Sequence, residues 1–352
     1  MEIADKNTED FKLFLNYSAE IGSDNSMTQA AGGNTSIKID DNMWVKASGK
    51  WLINSKNEEI MVPVSIVKIK DCLQKDYCND TDIINCVNLD LSSNDLRPSV
   101  EAPMHAILDY KYVFHTHDIN VNAIAVQKNS KPKFEKILDG LNWKFIPYVK
   151  PGIELCRQLI KLKSDEDNIF ILENHGLIIC GQNLNEIKSL NDQVRKRLEK
   201  LQTRQIISND KKSHGKIDLK DTGYQFCKEE LINSLAFNHQ SIERLSQGAL
   251  LPDFLVFLGA KLKVISSEES KLLYKLEKLS QSPLPFDSCI IIIDEGVAIR
   301  DDALNGTLEI IHYVCNLMTL IPDNADLKYL NENETSDLLN WESEHYRQSQ
   351  NK

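Results

Sequence analysis

Three histidines stand at positions from which they could bind one metal ion. His115 and His117 are separated by one residue at the end of a predicted strand over 112–117. Side chains two apart on a strand point to the same face, so both imidazoles leave the sheet together. His175 lies in the tight turn that follows a second predicted strand, over 168–172. Three imidazole nitrogens are the ligand set of a catalytic zinc ion, which keeps its fourth position open for substrate.

Two loops rich in glycine and hydroxyl groups could bind an anion near these histidines. Residues 31–36 read Ala-Gly-Gly-Asn-Thr-Ser, and such glycines let backbone N–H groups converge while the Asn34 amide adds a donor. A second loop carries Ser48 and Gly49 back to the same end of the sheet. Both loops also fit ordinary turns that bind nothing, with Lys46 exposed to solvent.

A carboxylate precedes the histidine pair. Ser99 is predicted to cap a helix that ends near Asp109, which places Glu101 in the first helical turn, where the helix dipole favours a negative charge. Next to a metal such a glutamate is a candidate acid/base, although a lone first-turn glutamate is usually an exposed charge. His105 shares its helix face and is predicted to pack against the helix or support the site rather than to be a fourth ligand.

The elements that would position these residues alternate between helices and strands over the first two hundred residues, which predicts an α/β domain. Strands over 35–39 and 43–47 flank the polar turn 40–42 and are predicted to form a hairpin. The other predicted elements are helices over 11–21, 64–73, 151–162 and from 183 to about 201, and strands over 144–149 and 177–180.

A polar, aperiodic stretch over 208–215 divides the chain into two predicted domains, residues 1–207 and 208–352. The second contains a predicted strand over 288–293 and helices from 302 to about 318 and from about 336 to 347.

Few residues of this second domain carry chemistry that the pattern reveals. Asp253 and Asp294 could approach a site, but aspartates at such positions more often form turns. Trp341, Tyr346 and Arg347 are predicted to pack the last helix rather than to bind a ligand.

Composition restricts the kind of partner. The 352 residues are 41% hydrophobic and 26% charged, as in soluble proteins with more than one core. The net charge of −11 disfavours nucleic acid or an anionic membrane surface, while a local metal can still attract an anionic small molecule. No apolar run reaches the roughly 20 residues that span a bilayer, and residues 1–5 lack signal-peptide features, so we expect a cytoplasmic protein. The eight scattered cysteines predict reduced, mostly buried thiols.

The order of these motifs resembles the class II aldolase and adducin head-domain family. The motifs are Gly-Gly-Asn-Thr-Ser, Lys-x-Ser-Gly, Pro-Ser-x-Glu, His-x-His and Asn-His-Gly, within residues 5–205. Within that family the sequence is most similar to the aldolase part of rhamnulose-phosphate aldolase-like two-domain proteins. The resemblance implies a three-layer α/β/α domain around a central, mainly antiparallel sheet, followed by a smaller C-terminal α/β domain of unknown role.

The resemblance also implies roles for individual residues. His115, His117 and His175 would bind a divalent cation, zinc in the first place, and Glu101 would move protons near it. A sugar or sugar phosphate would be bound by Gly33, Asn34, Ser48, Gly49 and Ser99. Val100 stands where the sugar-phosphate aldolases commonly have a second serine, which removes one hydroxyl donor from the phosphate site.

We therefore expect a divalent-metal-dependent aldolase, a carbon–carbon lyase that cleaves a ketose or sugar phosphate through a metal-stabilised enediolate. A sugar-phosphate 4-epimerase or a dehydratase could use the same residues, because one fold hosts several reactions. A non-catalytic adducin-like interaction module is the alternative from another class of protein, and retention of the three histidines and Glu101 favours the enzyme. The resemblance further implies a homo-oligomer, such as a tetramer.

Overall fold

A seven-stranded sheet organises the first part of the chain in the computed structural model, which describes residues 8–200 and 215–352. Its strands are β1 (Asn34–Ile39), β2 (Asn42–Lys46), β3 (Met61–Ser65), β4 (Tyr112–Thr116), β5 (Trp143–Ile146), β6 (Ile169–Leu172) and β7 (Gly176–Gly181). They lie in the order β3-β2-β1-β4-β7-β6-β5. All neighbours pair antiparallel except β5 and β6, so the predicted mainly antiparallel sheet is confirmed.

Helices cover both faces of this sheet. They are α1 (Glu9–Ser23), α2 (Ile66–Leu73), α3 (Asp80–Ile84), α4 (Ala102–Ile107), α5 (Ile119–Ala125), α6 (Ser130–Ile137), α7 (Ile153–Leu162) and α8 (Leu184–Glu199), with a 3-10 turn at Leu52–Lys56. Alternation along β4 separates the two layers: Phe114 packs with α1, α5, α6 and α8, whereas Val113 packs with α4 and α7. The predicted three-layer architecture is confirmed.

The second part contains a smaller mixed sheet. Its strands are β8 (Tyr224–Phe226), β9 (Lys263–Ser266), β10 (Cys289–Ile293) and β11 (Gly296–Arg300), in the order β8-β11-β10-β9. Its helices are α9 (Glu230–Asn233), α10 (His239–Gln247), α11 (Pro252–Leu258), α12 (Leu272–Leu279), α13 (Thr307–Leu320), α14 (Glu332–Leu339) and α15 (Glu342–Ser349), with a 3-10 turn at Ser234–Phe237. This is the C-terminal α/β region that the resemblance implied.

The two parts share a hydrophobic core. Ile119 and Ala123 of α5 belong to the same buried cluster as Phe254 of α11 and Val314 of α13. Burying apolar surface across this boundary stabilises the chain as one body rather than as two separate ones. The predicted boundary between residues 207 and 208 lies outside the described residues, as do residues 1–5. Among the residues described, no helix has both the length and the apolar character that crossing a membrane requires.

Several predicted elements differ from the structure. The predicted helix over 64–73 begins only at Ile66, because residues 61–65 form β3. Pro63 is tolerated there since β3 is an edge strand, where a missing N–H breaks no pairing. The single last helix is in fact two, α14 and α15, which are separated at Asn340 and Trp341.

The expectation of reduced cysteines is wrong for one pair. Cys72 and Cys78 form a disulfide, which the scattered spacing did not reveal. The other six cysteines are free and buried, as expected.

Candidate metal centre

The sheet brings the three predicted histidines together. β4 and β7 are neighbours, so His115 and His117 at the end of β4 meet His175 at the start of β7. Ring centroids lie 5.0 Å apart for His115 and His117, 4.8 Å for His115 and His175, and 5.3 Å for His117 and His175. Each ring offers one nitrogen, and the three nitrogens lie within 4.8 Å of one another. All three side chains are buried, and together they can bind a divalent metal ion.

The turn that carries His175 requires an unusual backbone conformation and a close approach between strands. Asn174 adopts a left-handed conformation with φ of 52°, which asparagine tolerates better than most residues. At Gly176 an added Cβ would lie 2.3 Å from the Thr116 carbonyl oxygen and 3.2 Å from Cε1 of His115. The Asn-His-Gly sequence is therefore the one that lets β7 approach β4 closely enough for the rings to meet.

Burial favours the neutral form of His115 and His175, which is the form that binds metals. It lowers the pKa of His115, and it lowers the pKa of His175 to about 3. His115 Nδ1 lies 3.1 Å from the Leu177 carbonyl oxygen. Because only an N–H can bond to that oxygen, the lone pair of His115 is on Nε2.

Glu101 lies beside the histidines. Its Oε2 is 3.5 Å from His115 Nε2, and its Oε1 is 3.6 Å from His175 Nε2. Burial alone would raise the pKa of Glu101, but the two rings, which carry charge once protonated in acid, and a hydrogen bond from Asn34 lower it to about 2, so the group is ionised at neutral pH.

Two buried atoms at this point have no hydrogen-bond partner among the described residues, His115 Nε2 and Glu101 Oε1. Buried polar atoms are rarely left unpaired. A lone-pair nitrogen and a carboxylate oxygen are both donors to cations, so the residues present fit a metal ion.

Asn34 and His105 support Glu101. The Asn34 amide Nδ2 lies 2.8 Å from Glu101 Oε2 and 3.2 Å from Ser99 Oγ, and it donates to both. His105 contacts Asn34 Oδ1 through Nε2 and Ser36 Oγ through Nδ1. His105 therefore orients the amide rather than acting as a ligand, as its helix position predicted.

The helix around Glu101 begins later than predicted. Ser99 does not cap it: α4 starts at Ala102, with Glu101 at the N-cap. The cause is backbone pairing, since Ser99 N donates to Lys46 O at 3.0 Å and holds this segment extended against the loop after β2. Glu101 consequently lies in the site rather than on an exposed first turn.

A small cavity adjoins the histidines. It is lined by the predicted residues Gly33, Asn34, Ser48, Gly49, Ser99, Glu101, His117 and His175, together with Ala31, Lys46, Val100, Pro151, Pro252, Asp253, Glu344 and Arg347. Eight of the nine predicted site residues thus meet at one cavity, while His115 lies buried behind it. This lining contains no tyrosine among the described residues; Tyr346 lines an adjoining small cavity.

Lys46 is not solvated, contrary to the turn interpretation of its loop. Its side chain is fully buried, and Nζ donates to Ala31 O at 2.8 Å and to Lys50 O at 2.6 Å. Burial, together with the nearby Arg347, lowers the pKa of Lys46 to about 7. The lysine thus links the two glycine-containing loops and places a basic group in the cavity wall.

Three further charged residues of the wall come from the second part of the chain. Asp253 begins α11, while Glu344 and Arg347 belong to α15, and all three are buried or nearly so. Sequence analysis assigned Asp253 to a turn and Arg347 to helix packing, and it did not single out Glu344. Local sequence patterns do not predict these residues, because long-range packing brings them to the cavity. Asp294, the other aspartate considered, lies in the turn between β10 and β11, where its N–H donates to Ala236 O.

Comparison with known proteins places the chain in a family. The profile of the Class II Aldolase and Adducin N-terminal domain matches residues 14–199, more than half of the chain. The chain is 30% identical over 174 residues to the uncharacterized oxidoreductase YuxG of Bacillus subtilis (strain 168). That match covers 46% of this chain and 25% of YuxG, so the chain spans about a quarter of this curated relative.

Two solved structures are also similar. One is the N-terminal class II aldolase domain of a conserved protein from Thermoplasma acidophilum, with 22% identity, a TM-score of 0.49, and coverage of 57% of this chain and 97% of that one. The other is a sugar-phosphate aldolase from Thermotoga maritima, with 13% identity, a TM-score of 0.42, and coverage of 55% and 95%. On the strength of the profile match, this chain belongs to the class II aldolase and adducin N-terminal domain family.

Proposed function

We propose that this protein is a zinc-dependent aldolase that cleaves or forms a carbon–carbon bond in a ketose or sugar phosphate. One observation carries the proposal: three buried histidines converge next to an ionised glutamate at the wall of a cavity. A scaffold protein needs neither a buried cluster of histidines nor a buried carboxylate, since burying polar groups costs stability.

His115, His117 and His175 would hold the ion. Neutral imidazoles suit zinc, and three protein ligands leave room for a substrate oxygen. When bound, a divalent ion supplies Lewis acidity, which stabilises negative charge that develops on a carbonyl oxygen.

Glu101 is the proton-transfer residue of the proposal. With its pKa at about 2 it is a carboxylate at neutral pH, which is the form that accepts a proton from carbon. The hydrogen bond from Asn34 fixes Oε2, while Oε1 has no hydrogen-bond partner within residues 8–200 and 215–352. Oε1 is therefore the atom that we assign to proton transfer.

The rest of the cavity would bind the substrate. Ser48, Ser99 and the backbone of Gly33 and Gly49 line it with hydrogen-bonding groups. Val100 offers no hydroxyl, but two basic groups line the wall: Lys46, which is partly protonated at neutral pH, and Arg347, which pairs with Asp253. Basic groups in a cavity wall favour an anionic substrate such as a sugar phosphate.

The first test measures metal. Protein purified without chelators should contain about one zinc per chain, and His115→Ala should contain none, because one ligand of three is removed. Wild-type protein that takes up no divalent metal would contradict the proposal.

The second test measures products. Zinc-loaded protein is incubated with a panel of phosphorylated and free ketoses, and an aldolase releases an aldehyde fragment. A stereoisomer of the substrate would instead identify an epimerase, and a dehydrated ketone a dehydratase. Absence of any product with a zinc-loaded protein would favour the interaction module. Homo-oligomerisation and a cytoplasmic location stay predictions.

A further inference from the structure

The second part of the chain contacts one histidine ring of the metal centre directly. Asp253 Oδ2 lies 3.1 Å from His117 Nδ1, and both side chains are only 7% exposed. Oδ2 has no hydrogen-bond partner among the described residues, so its approach to Nδ1 is a close buried contact and not an aligned hydrogen bond. This oxygen of the aspartate therefore faces the ring nitrogen of His117.

Arg347 holds this aspartate from the opposite side. Its Nη2 donates to Asp253 Oδ1, and its Nη1 lies 3.5 Å from Glu344 Oε1. This ion pair with Arg347 provides the counter-charge for the Asp253 carboxylate in its buried position.

The first part of the chain leaves room for this contact at Gly32. An added Cβ there would lie 2.4 Å from Asp253 Oδ2 and 2.9 Å from His117 Nδ1. Any other residue would push the carboxylate away from the ring. The glycine-rich loop therefore has a second use besides its hydrogen-bonding groups.

We propose that Asp253, held by Arg347, is a positioning residue for His117, so that the second part of the chain completes the metal centre. This inference rests on the proposed function, in which His117 is a ligand. A carboxylate 3.1 Å from Nδ1 favours the proton of the neutral ring on that nitrogen, which places the lone pair on Nε2 and makes the ring a stronger donor to metal. His115 receives the same support from the Leu177 carbonyl oxygen.

The test compares zinc affinities of full-length variants by competition with a chromogenic chelator. Asp253→Asn should bind zinc about 10- to 100-fold more weakly than wild type. Asp326→Asn is the matched control, because Asp326 also belongs to the second part and contacts Lys128 of the first, but its side chain is exposed. Its affinity should equal that of wild type.

Asp253→Asn leaves Arg347 without its counter-charge, which could prevent folding. A double variant, Asp253→Leu with Arg347→Met, removes both charges and keeps apolar volume. It should lose affinity to a similar extent. Failure of both variants to fold would show a purely structural role and overturn the inference.

Cobalt(II) absorption separates positioning from general stability. Cobalt-loaded Asp253→Asn should show an altered visible band, while Asp326→Asn should show the wild-type band. An affinity within about twofold of wild type together with an unchanged band, in wild-type protein that binds zinc and loses it on His115→Ala, would overturn this inference alone. If wild type binds no zinc, the proposed function itself fails.

Discussion

The two parts of the chain approach the cavity in different ways. The first part uses a sheet: Asn34 lies opposite His115 across β1 and β4, so backbone pairing sets their separation. The second part uses helices that begin or end at the cavity, and its pair Asp253 and Arg347 is 94 residues apart in sequence. Strand register therefore positions residues of the first part such as Asn34 and His115, whereas helix packing positions Asp253 and Arg347 of the second part.

The two parts also contribute different kinds of polar side chain to the cavity. The first part supplies the three imidazoles and the proposed proton-transfer group, Glu101. The second part adds an ion pair and a buried carboxyl, Glu344, whose pKa is raised by burial.

The largest effect should come from Glu101, on the sheet side of the comparison. Glu101→Gln should retain zinc and lower the turnover rate about 10²- to 10⁴-fold, because the amide cannot accept the proton. Zinc content and rate would be measured together on the substrate that the product panel identifies. Glu58→Gln, at an exposed glutamate that pairs with Lys50, is the control and should leave the rate unchanged. Equal rates for both variants would remove Glu101 from the mechanism.

Acid should destabilise the metal-free protein through the first part. Burial lowers the pKa of both His105 and His175 from 6.5 to about 3. Above pH 6.5 both rings are neutral in the folded and unfolded states, so they do not affect stability. Below it the unfolded chain binds protons that the folded chain does not, and the free energy of unfolding falls as the pH drops toward 3, by up to about 1.4 kcal/mol per pH unit for each ring.

Urea unfolding of metal-free protein at about pH 7 and about pH 5 measures this slope. His105→Asn should reduce the slope, because one of the two rings is then absent. A free energy of unfolding that is equal at both pH values would contradict the burial of these rings.

A smaller effect is expected from Tyr313, which joins the two parts behind the metal centre. Its hydroxyl donates to His117 O at 3.0 Å and accepts a hydrogen bond from Asn122 at 2.8 Å. Tyr313→Phe should lower the free energy of unfolding by about 1–3 kcal/mol, because buried partners lose a hydrogen bond. The exposed Tyr274 offers a matched Tyr→Phe control. Zinc affinity should fall less than in Asp253→Asn; an equal fall would show that the contact to the ring is not special.

The smallest effect should come from an exposed contact between the parts. Lys128 and Asp326 lie 3.0 Å apart with both side chains more than half exposed. Asp326→Asn should change the free energy of unfolding by less than about 1 kcal/mol, as water screens such pairs. A larger change in urea unfolding would mean that surface charges, and not the shared core, hold the two parts together.

The residues on the sheet could be predicted because their signals are local. Strand periodicity placed His115 and His117 on one face, and the hairpin of β1 and β2 was evident from the polar turn between two apolar runs. The Asn-His-Gly turn could be predicted because asparagine and glycine suit the backbone conformations of a tight turn. The family resemblance then connected these separate motifs.

The remaining features depend on contacts that no local pattern records. Lys46 can be buried because carbonyl groups of two loops accept hydrogen bonds from its Nζ. Ser99 fails as a cap because its backbone pairs with that of Lys46. Asp253 and Arg347 matter only because α15 packs near α11, a tertiary contact that residue spacing cannot predict.

One asparagine connects the segment of His175 to the second part of the chain. The Asn122 amide donates to the His175 carbonyl oxygen at 3.1 Å and also to Tyr313 of α13. Because one side chain makes both contacts, a displacement of α13 would also disturb the hydrogen bond to the His175 carbonyl oxygen. Release of a bound ion during denaturation would then report the unfolding of α13, a helix that supplies no metal ligand.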